Sequence, residues 1–288
     1  MNKKVAIIGY GWVGKSMHEL FPDALIFSPN RNLKGEALKD TDVPWDMQVK
    51  ELQAEVNKCD FAFICVPTPC PKEGKLDIDQ VAYSVSWLET PIIVIRSTIN
   101  PGDSQMLEAA FGKRLLVQPE YLGETPQHPL LDTAKAPFII IGGHWPERQR
   151  LIELYQTVYN ANINIRQVNG YAAEIIKMTE NRAIAYKVAQ CQELYDVCEK
   201  ANIDYYTIRD AVYGDDPRFN LWWTFVYPDK RGFNSKCIPK DVYAWCAWAE
   251  SIGYEPKLTR ALLEKNKEWI NPPAPKKAKK KPAKKQVN

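Results

Sequence analysis

The 288-residue chain has little histidine, no closely paired cysteines and no long apolar run. Its three histidines have no metal-ligand spacing with one another or with cysteine, which argues against a metal centre. Its seven cysteines include no CxxC pair and the chain shows no signal peptide, so we expect a reducing cytoplasm. No apolar segment approaches the roughly 20 residues that a membrane span needs, so no membrane association is expected.

Positive charge is concentrated at the end of the chain. Residues 271–288 contain seven of the 38 basic residues and none of the 35 acidic ones, so the remaining 31 basic residues leave the body acidic by four. Low apolar content predicts disorder for this segment. A cationic arm of this kind suits nucleic acid or an acidic partner, and a solubilising extension explains it equally well.

The chain begins with a pattern typical of dinucleotide-binding proteins. An apolar run, Lys4–Ile8, leads into Gly9-Tyr10-Gly11-Trp12-Val13-Gly14 and a helical stretch to about Phe21. In such a strand, turn and helix, the first glycine permits the turn, the second admits a pyrophosphate and the third allows close helix packing. We therefore predict a cofactor diphosphate at the start of the first helix.

The second strand, Ala24–Phe27, lacks the acidic residue that usually holds the ribose of NAD. Ser28 can still bond a ribose hydroxyl, whereas Arg31 could meet the 2′-phosphate of NADP. The residues alone leave the choice between NAD and NADP open.

The rest of the first half alternates apolar runs with helical stretches, which predicts an α/β fold with a Rossmann-like, doubly wound parallel sheet. Three strands end in loops marked by proline, at 67–69, 97–102 and 118–124, and these loops should meet at the carboxyl edge of the sheet. The predicted strands of this part are Phe61–Val66, Pro91–Ile95, Arg114–Val117 and Phe138–Ile141.

The second half is predicted to be mostly helical. A stretch without proline or glycine, Tyr171–Lys200, predicts one helix roughly 45 Å long on which Lys177 and Asn181 share a face. We expect a cofactor domain at 1–169, a helical central domain at 170–270 and a disordered tail at 271–288. Further helices are predicted at Tyr206–Val212, Asp241–Ile252 and Lys257–Ile270, and the aromatic cluster Trp222, Trp223, Phe225 and Tyr227 is expected to form a packed loop core or a dimer contact.

Cys237 is the candidate nucleophile. The ammonium groups of Lys236 and Lys240 would lower its pKa if they point at the sulfur, and Asp241 would share its side of a helix. An isolated cysteine is more often buried and structural, and only its setting favours a reactive thiol here.

Several ordered motifs resemble the UDP-glucose/GDP-mannose dehydrogenase family from about residue 3 to about residue 268. They are GYGWVG (9–14), CVPTP (65–69), STINPG (97–102), PEYLGE (119–124), the Lys177/Asn181 helix and GFNSKCIPKD (232–241). The chain departs from the family at Asn234-Ser235-Lys236, where the family has Gly-Gly-Ser, and at about residue 271, where the family's third, nucleotide-gripping domain would begin.

The resemblance implies oxidation of the C6 alcohol of a nucleotide sugar to a carboxylate, with two hydride transfers to NAD. Cys237 would form a thiohemiacetal and then a thioester, Lys177 and Asn181 would stabilise the oxyanion, Thr98 and Asp241 would hold water, and Glu120 would act as general base. Cofactor contacts are expected from Gly9, Gly11, Trp12, Val13, Gly14, Ser28, Arg31, Pro67, Thr68, Thr98 and Glu124. Substrate contacts are expected from Glu120, Tyr121, Leu122, Glu124, Lys177, Asn181 and Gly232.

Two other functions compete with this one. A two-electron dehydrogenase of the β-hydroxyacid type has a similar two-domain plan and needs no catalytic cysteine. A dinucleotide-binding protein without catalysis could act through its basic tail. The resemblance also implies a homodimer formed through the long helix.

Overall fold

The computed structural model describes residues 3–29, 31–37, 45–71, 74–123, 128 and 130–272. The predictions for Glu124 and for residues 273–288 of the tail lie outside the described residues. The chain divides into two compact units. The first contains residues up to 185 together with 235–256, and the second contains 186–234 together with the residues from 257. The domain boundaries predicted at 169 and 270 stay predictions.

The first unit contains a seven-stranded sheet in the order β2-β1-β3-β4-β5-β6-β7. Neighbouring strands are parallel except β5 and β6, which pair antiparallel through Val117 and Gly142. The α/β fold class and the Rossmann-like sheet are confirmed. The strands are β1 (Val5–Ile8), β2 (Leu25–Phe27), β3 (Phe61–Ile64), β4 (Ile92–Ile95), β5 (Leu115–Val117), β6 (Phe138–Gly142) and β7 (Asn164–Val168).

Helices connect these strands. A parallel pair needs a crossover segment, and the helices between successive parallel strands provide it. Between β5 and β6 the described residues form only a 3₁₀ turn, Thr133–Lys135, and there the strand direction reverses. The helices of this part are α1 (Trp12–Leu20), α2 (Trp45–Val56), α3 (Asp79–Trp87), α4 (Asp103–Phe111) and α5 (Trp145–Tyr155).

Both faces of the sheet are buried, which explains why its central strands are continuous apolar runs rather than alternating ones. Ile7 and Phe63 belong to the core cluster on one face. Ile8 and Ile64 belong to the cluster on the other face. Alternate residues of the central strands thus pack against opposite helical layers.

Helix α6 (Gly170–Ala201) continues from the first unit into the second, within one residue at each end of the predicted helix. Helix α8 (Ile238–Ser251) belongs to the first unit and begins three residues earlier than predicted. In the part of the chain that the structure describes, no helix is both long and apolar enough to cross a membrane.

The second unit is helical. The predicted helix Tyr206–Val212 is instead α7 (Tyr205–Arg209) followed by a π-helical turn, Asp210–Asp215, while α9 (Lys257–Ile270) matches its prediction. Its core contains Cys191, Cys198, Tyr205, Tyr213 and Val226. The side chains of Trp222, Phe225 and Tyr227 are about half exposed, which excludes a packed loop core for them, and the alternative of a dimer contact stays a prediction.

Candidate functional site

The three glycines of the first turn differ in the space around them. Gly9 has φ of +94°, and a Cβ there would lie 2.6 Å from the carbonyl oxygen of Cys65. A Cβ on Gly14 would overlap the carbonyl oxygen of Gly9, whereas a Cβ on Gly11 would meet no atom within 4 Å. Gly9 therefore makes the turn, Gly14 seats α1 on it, and the open position at Gly11 leaves room for a diphosphate.

A cleft of about 590 Å³ lies beside this turn. It occupies the point between β1 and β3 where the strand order reverses, which is where doubly wound sheets bind their ligands. Its volume falls in the range of small-molecule and cofactor sites. Among the predicted cofactor residues, its lining includes Gly9, Gly11, Trp12, Val13, Ser28 and Pro67.

Thr68 and Thr98 lie on loops that follow β3 and β4. Thr68 is buried and Thr98 is half-buried. Ser97 Oγ donates a hydrogen bond to the Val66 carbonyl oxygen at 2.7 Å, which ties the two loops together. The cofactor roles of both threonines stay predictions.

Arg31 lies away from the cleft lining. Its guanidinium carbon is 5.4 Å from the centroid of the Tyr10 ring, and its Nη1 donates to the Gly35 carbonyl oxygen at 3.3 Å. Of this pair, the described lining of the cleft includes Tyr10 alone.

The Glu120 carboxylate is held by one arginine and by two backbone N–H groups. Arg96, which ends the apolar run of β4, forms an ion pair with Glu120 Oε2. The backbone N–H groups of Tyr121 and Leu122 donate to Oε1 at 2.7 and 2.8 Å. Burial works against the charge of Arg96, yet the Glu120 carboxylate keeps the pKa of Arg96 above its ordinary value. The carboxylate is thus fixed in position, and its predicted general-base role stays a prediction.

Lys177 is a buried cation. Its side chain has no ion pair or hydrogen bond within the described part of the chain, and its Nζ lies 5.0 Å from the centroid of the Tyr121 ring. Burial lowers the pKa of His128, and the Lys177 charge adds to that effect. Burial also raises the pKa of Glu180, against the attraction of Lys177. A buried ammonium that forms no direct ion pair among the described residues is suited to hold a developing negative charge.

The Tyr121 hydroxyl is buried and has no hydrogen-bond partner among the described residues. Burial raises the pKa of Tyr121, and the nearby Glu180 carboxylate adds to this. The phenol therefore remains a neutral hydrogen-bond donor beside Lys177, which is compatible with its predicted contact to substrate.

Asn181 and Asp241 join α6 to α8. Asn181 Nδ2 donates to Asp241 Oδ2 at 2.5 Å, and Lys240 Nζ lies 2.6 Å from Asp241 Oδ1. Asp241 is completely buried, and its backbone N–H donates to the Cys237 carbonyl oxygen at 3.1 Å. Cys237 is the N-terminal cap of α8 and is exposed. A thiol at a helix N-terminus is favoured as thiolate by the helix dipole.

Gly232 lies in the second unit, with φ of +73°. A Cβ there would lie 2.6 Å from Asn266 Oδ1, whose side chain bonds both backbone groups of Phe233. This position requires glycine for the packing of its own loop. A substrate contact from Gly232 stays a prediction.

The sequence reasoning missed three residues at the site. Arg96 is a charge at the end of an apolar strand. Glu174, whose carboxylate accepts hydrogen bonds from the backbone N–H groups of Gly102 and Ser104, lies one helical turn before Lys177, so each had a signal in the pattern. Tyr10 had none, because its partner Arg31 is brought to it only by the fold.

The sheet, the glycine turn and the cleft define a dinucleotide-binding protein of the Rossmann type. Residues 45–161 match the NAD binding domain of the UDP-glucose/GDP-mannose dehydrogenase family, and residues 171–268 match its central domain. The chain belongs to this family, and its cofactor is NAD.

Individual relatives agree with the family. The chain is 25% identical over 297 residues to the UDP-glucose 6-dehydrogenase TuaD of Bacillus subtilis, covering 92% of this chain and 63% of that one. It is 28% identical over 230 residues to the GDP-mannose 6-dehydrogenase of Pseudomonas savastanoi pv. phaseolicola, covering 73% of this chain and 51% of that one. The chain thus spans between half and two thirds of the length of these relatives.

Solved structures share the fold. A UDP-glucose dehydrogenase from Pyrobaculum islandicum superposes with a TM-score of 0.74 at 20% identity, over 93% of this chain and 68% of that one. A 3-hydroxyisobutyrate dehydrogenase from Mycobacterium tuberculosis superposes with a TM-score of 0.65 at 16% identity, over 92% of each chain. The two-domain dehydrogenase fold is therefore common to both kinds of enzyme.

Proposed function

We propose that this protein oxidises the C6 alcohol of a nucleotide sugar to a carboxylate in two NAD-dependent steps through Cys237. The observation that carries the proposal is the Asn181–Asp241 hydrogen bond. It fixes the helix bearing Lys177 and Asn181 to the helix that begins directly after Cys237. A nucleophile, two oxyanion donors and a buried carboxylate are thereby supplied by two mutually anchored helices.

NAD supplies the hydride acceptor for each oxidation when it is bound in the cleft. The buried Lys177 ammonium and the Asn181 amide stabilise the oxygen of the sugar carbon as negative charge develops on it. The Cys237 thiolate adds to the aldehyde carbon and forms a thiohemiacetal, which becomes a thioester when the second hydride leaves. Asp241 positions Asn181 and, with Thr98, holds the hydrolytic water, while Glu120 acts as its general base.

The reaction balances without any further oxidant. One alcohol, one water and two NAD give one carboxylate, two NADH and three protons. The carbon–sulfur bond formed at the aldehyde breaks during hydrolysis, so the thiolate of Cys237 is regenerated. Water contributes the second carboxylate oxygen.

Product stoichiometry tests the proposal. We expect two NADH per molecule of sugar acid when the purified chain is offered a panel of UDP- and GDP-sugars, with acid measured by mass spectrometry. Cys237→Ser should form no acid, because serine does not readily supply the nucleophile for a thioester. Cys70→Ser is the matched control and should behave as wild type, because the Cys70 thiol donates to the Gly74 carbonyl oxygen at 2.8 Å and a serine hydroxyl can do the same. Acid formation at the wild-type rate by Cys237→Ser would exclude the covalent mechanism.

A second candidate is a two-electron dehydrogenase of the β-hydroxyacid type. The observation in its favour is the match to the 3-hydroxyisobutyrate dehydrogenase structure over 92% of both chains. This reaction would give one NADH per product and would be indifferent to Cys237→Ser. Turnover of neither class of substrate would favour a binding protein without catalysis.

We also propose that the chain forms a homodimer through α6. Ile184 and Val188 lie four residues apart on one face of this helix, and both remain partly exposed. An apolar helix face of this kind is usually covered by another element. Light scattering on the purified chain should give twice the mass of 33.0 kDa, and a monomer at micromolar concentration would contradict the proposal.

A further inference from the structure

The carboxylate that usually rejects NADP is absent from the end of β2. The strand ends at Phe27 and is followed by Ser28, which lines the cleft. Among the described residues after Ser28, the acid Glu36 accepts a hydrogen bond from Asn32 Nδ2 at 2.7 Å and is exposed. A serine can bond a ribose hydroxyl, but it does not repel a 2′-phosphate. Selection against NADP must therefore come from another feature.

The Arg31 guanidinium, which could bind a 2′-phosphate, packs on the Tyr10 ring instead. The backbone N–H of Arg31 donates to the Ser28 carbonyl oxygen at 3.0 Å. The backbone of Arg31 is therefore adjacent to Ser28, the residue of the cleft lining that would contact the ribose. Its guanidinium nevertheless lies 5.4 Å from the centroid of the Tyr10 ring and donates to the Gly35 carbonyl oxygen at 3.3 Å. Cation–π attraction and a carbonyl acceptor both stabilise this position.

Tyr10 is itself anchored. Its hydroxyl lies 2.7 Å from His18 Nδ1, and His18 Nε2 lies 3.0 Å from the Pro22 carbonyl oxygen. Both ring nitrogens of His18 are thus engaged, one with the Tyr10 hydroxyl and one with the backbone of the residues that follow α1. The ring that holds Arg31 is therefore fixed from α1.

We infer that Tyr10 is a positioning residue that sets cofactor selectivity by holding Arg31 away from the 2′ position of the bound ribose. The preference for NAD then depends on keeping the Arg31 guanidinium away from the 2′ position, rather than on repulsion of the 2′-phosphate by a carboxylate. The chemistry that Tyr10 suppresses is recognition of a phosphate monoester by a guanidinium. This inference rests on the NAD site and not on the sugar oxidation.

Calorimetric titration of NAD and NADP into the full chain tests the inference without any measurement of turnover. Wild type should bind NAD more tightly. Tyr10→Ala should raise the affinity for NADP relative to NAD by about tenfold, the scale of one hydrogen bond to a charged group. The gain should shrink at high salt, since it comes from paired charges near the surface.

Three further variants distinguish an effect caused by freeing the Arg31 side chain from an effect caused by general disruption of the cofactor site. Tyr10→Phe keeps the ring and should keep the wild-type ratio of affinities. Tyr10→Leu keeps apolar volume without an aromatic face and should behave like Tyr10→Ala, which provides a second test if the alanine variant does not fold. Tyr10→Ala/Arg31→Ala should lose the gain completely.

Several results would overturn the inference. One is a Tyr10→Ala or Tyr10→Leu chain with an unchanged affinity ratio, and another is a gain that persists without Arg31. A third is loss of NADP affinity when Arg31→Ala is made with Tyr10 intact, because Arg31 would then already reach the phosphate. Failure of wild type to bind either cofactor would overturn the NAD site as well, and is distinguishable from the other three.

Discussion

The backbone N–H of Gly102 donates a hydrogen bond to Glu174 Oε2 at 2.6 Å. The N–H of Ser104 donates to the other carboxylate oxygen at 2.9 Å. Glu174 is buried on α6, one turn before Lys177, and it binds the start of α4 and the loop that carries Thr98. One carboxylate thus connects the helix that carries Lys177 and Asn181 to the loop that carries Thr98.

Glu174 should make stability depend on pH. Burial raises the pKa of Glu174 from 4.5 to about 7, although the bonds from Ser104 and Gly102 oppose this. Between these two values the unfolded chain loses the proton while the folded chain keeps it, so stability falls as pH rises. We expect the free energy of unfolding to fall by on the order of 3 kcal/mol relative to Glu174→Gln across this window, and to stay level above it.

Urea unfolding of both proteins at a series of pH values measures this difference. Glu19→Gln, at an exposed carboxylate of α1, is the matched control and should follow wild type throughout. A constant difference between wild type and Glu174→Gln from pH 4 to pH 8 would contradict the assignment.

The Asn181–Asp241 contact should show strong coupling. Asp241 is completely buried, so removing either partner leaves a buried polar group without its bond. We expect Asn181→Ala and Asp241→Ala each to lower the free energy of unfolding by about 2–4 kcal/mol. The double variant should lose about 1–3 kcal/mol less than the sum. Exposed Asp229→Ala should change stability by less than about 0.5 kcal/mol. Additive losses would show that the two side chains do not support each other.

Alanine substitutions should distinguish Gly14, which the fold requires, from Gly11, which we expect to be required only for cofactor binding. Gly14→Ala places a methyl group against the Gly9 carbonyl oxygen and should lower the free energy of unfolding by at least about 2 kcal/mol. Gly11→Ala meets no atom within 4 Å and should fold normally. Its NAD affinity should nevertheless fall by about tenfold or more, because the methyl group occupies the diphosphate position. Thermal unfolding and NAD titration measure both effects, and a Gly11→Ala chain with wild-type affinity would argue against that position.

Cys237 should be the first cysteine to react with iodoacetamide. It is exposed at a helix N-terminus, while burial raises the pKa of Cys59 to about 11 and of Cys65 to about 12. Because the thiolate is the reactive form, we expect labelling at Cys237 to be at least about tenfold faster than at Cys59. Peptide mass spectrometry after short exposure measures the rates, and unfolding in urea should equalise them. Equal rates in the folded chain would contradict a reactive Cys237.

Much of the fold could be predicted because its signals are local. Patterns within a few neighbouring residues predict the glycine turn, the strands β1, β3 and β4, and the uninterrupted helix α6. Strand β7 could not be predicted, because Asn164-Ile165-Arg166-Gln167-Val168 is a polar edge strand formed by pairing with β6. The reversal between β5 and β6 was also missed, since strand direction depends on how the chain returns to the sheet and not on strand composition.

The candidate site divides in the same way. Residue types and their order along the chain determined the glycine turn, the Lys177/Asn181 face and the position of Cys237 before a helix. Only the tertiary structure decided their partners, because Arg96 and Glu120 are 24 residues apart, Glu174 and Gly102 are 72 apart, and Asn181 and Asp241 are 60 apart. It also decided that Arg31 packs on Tyr10. Side-chain pairing over such separations depends on how sheet and helices pack, which no local pattern encodes.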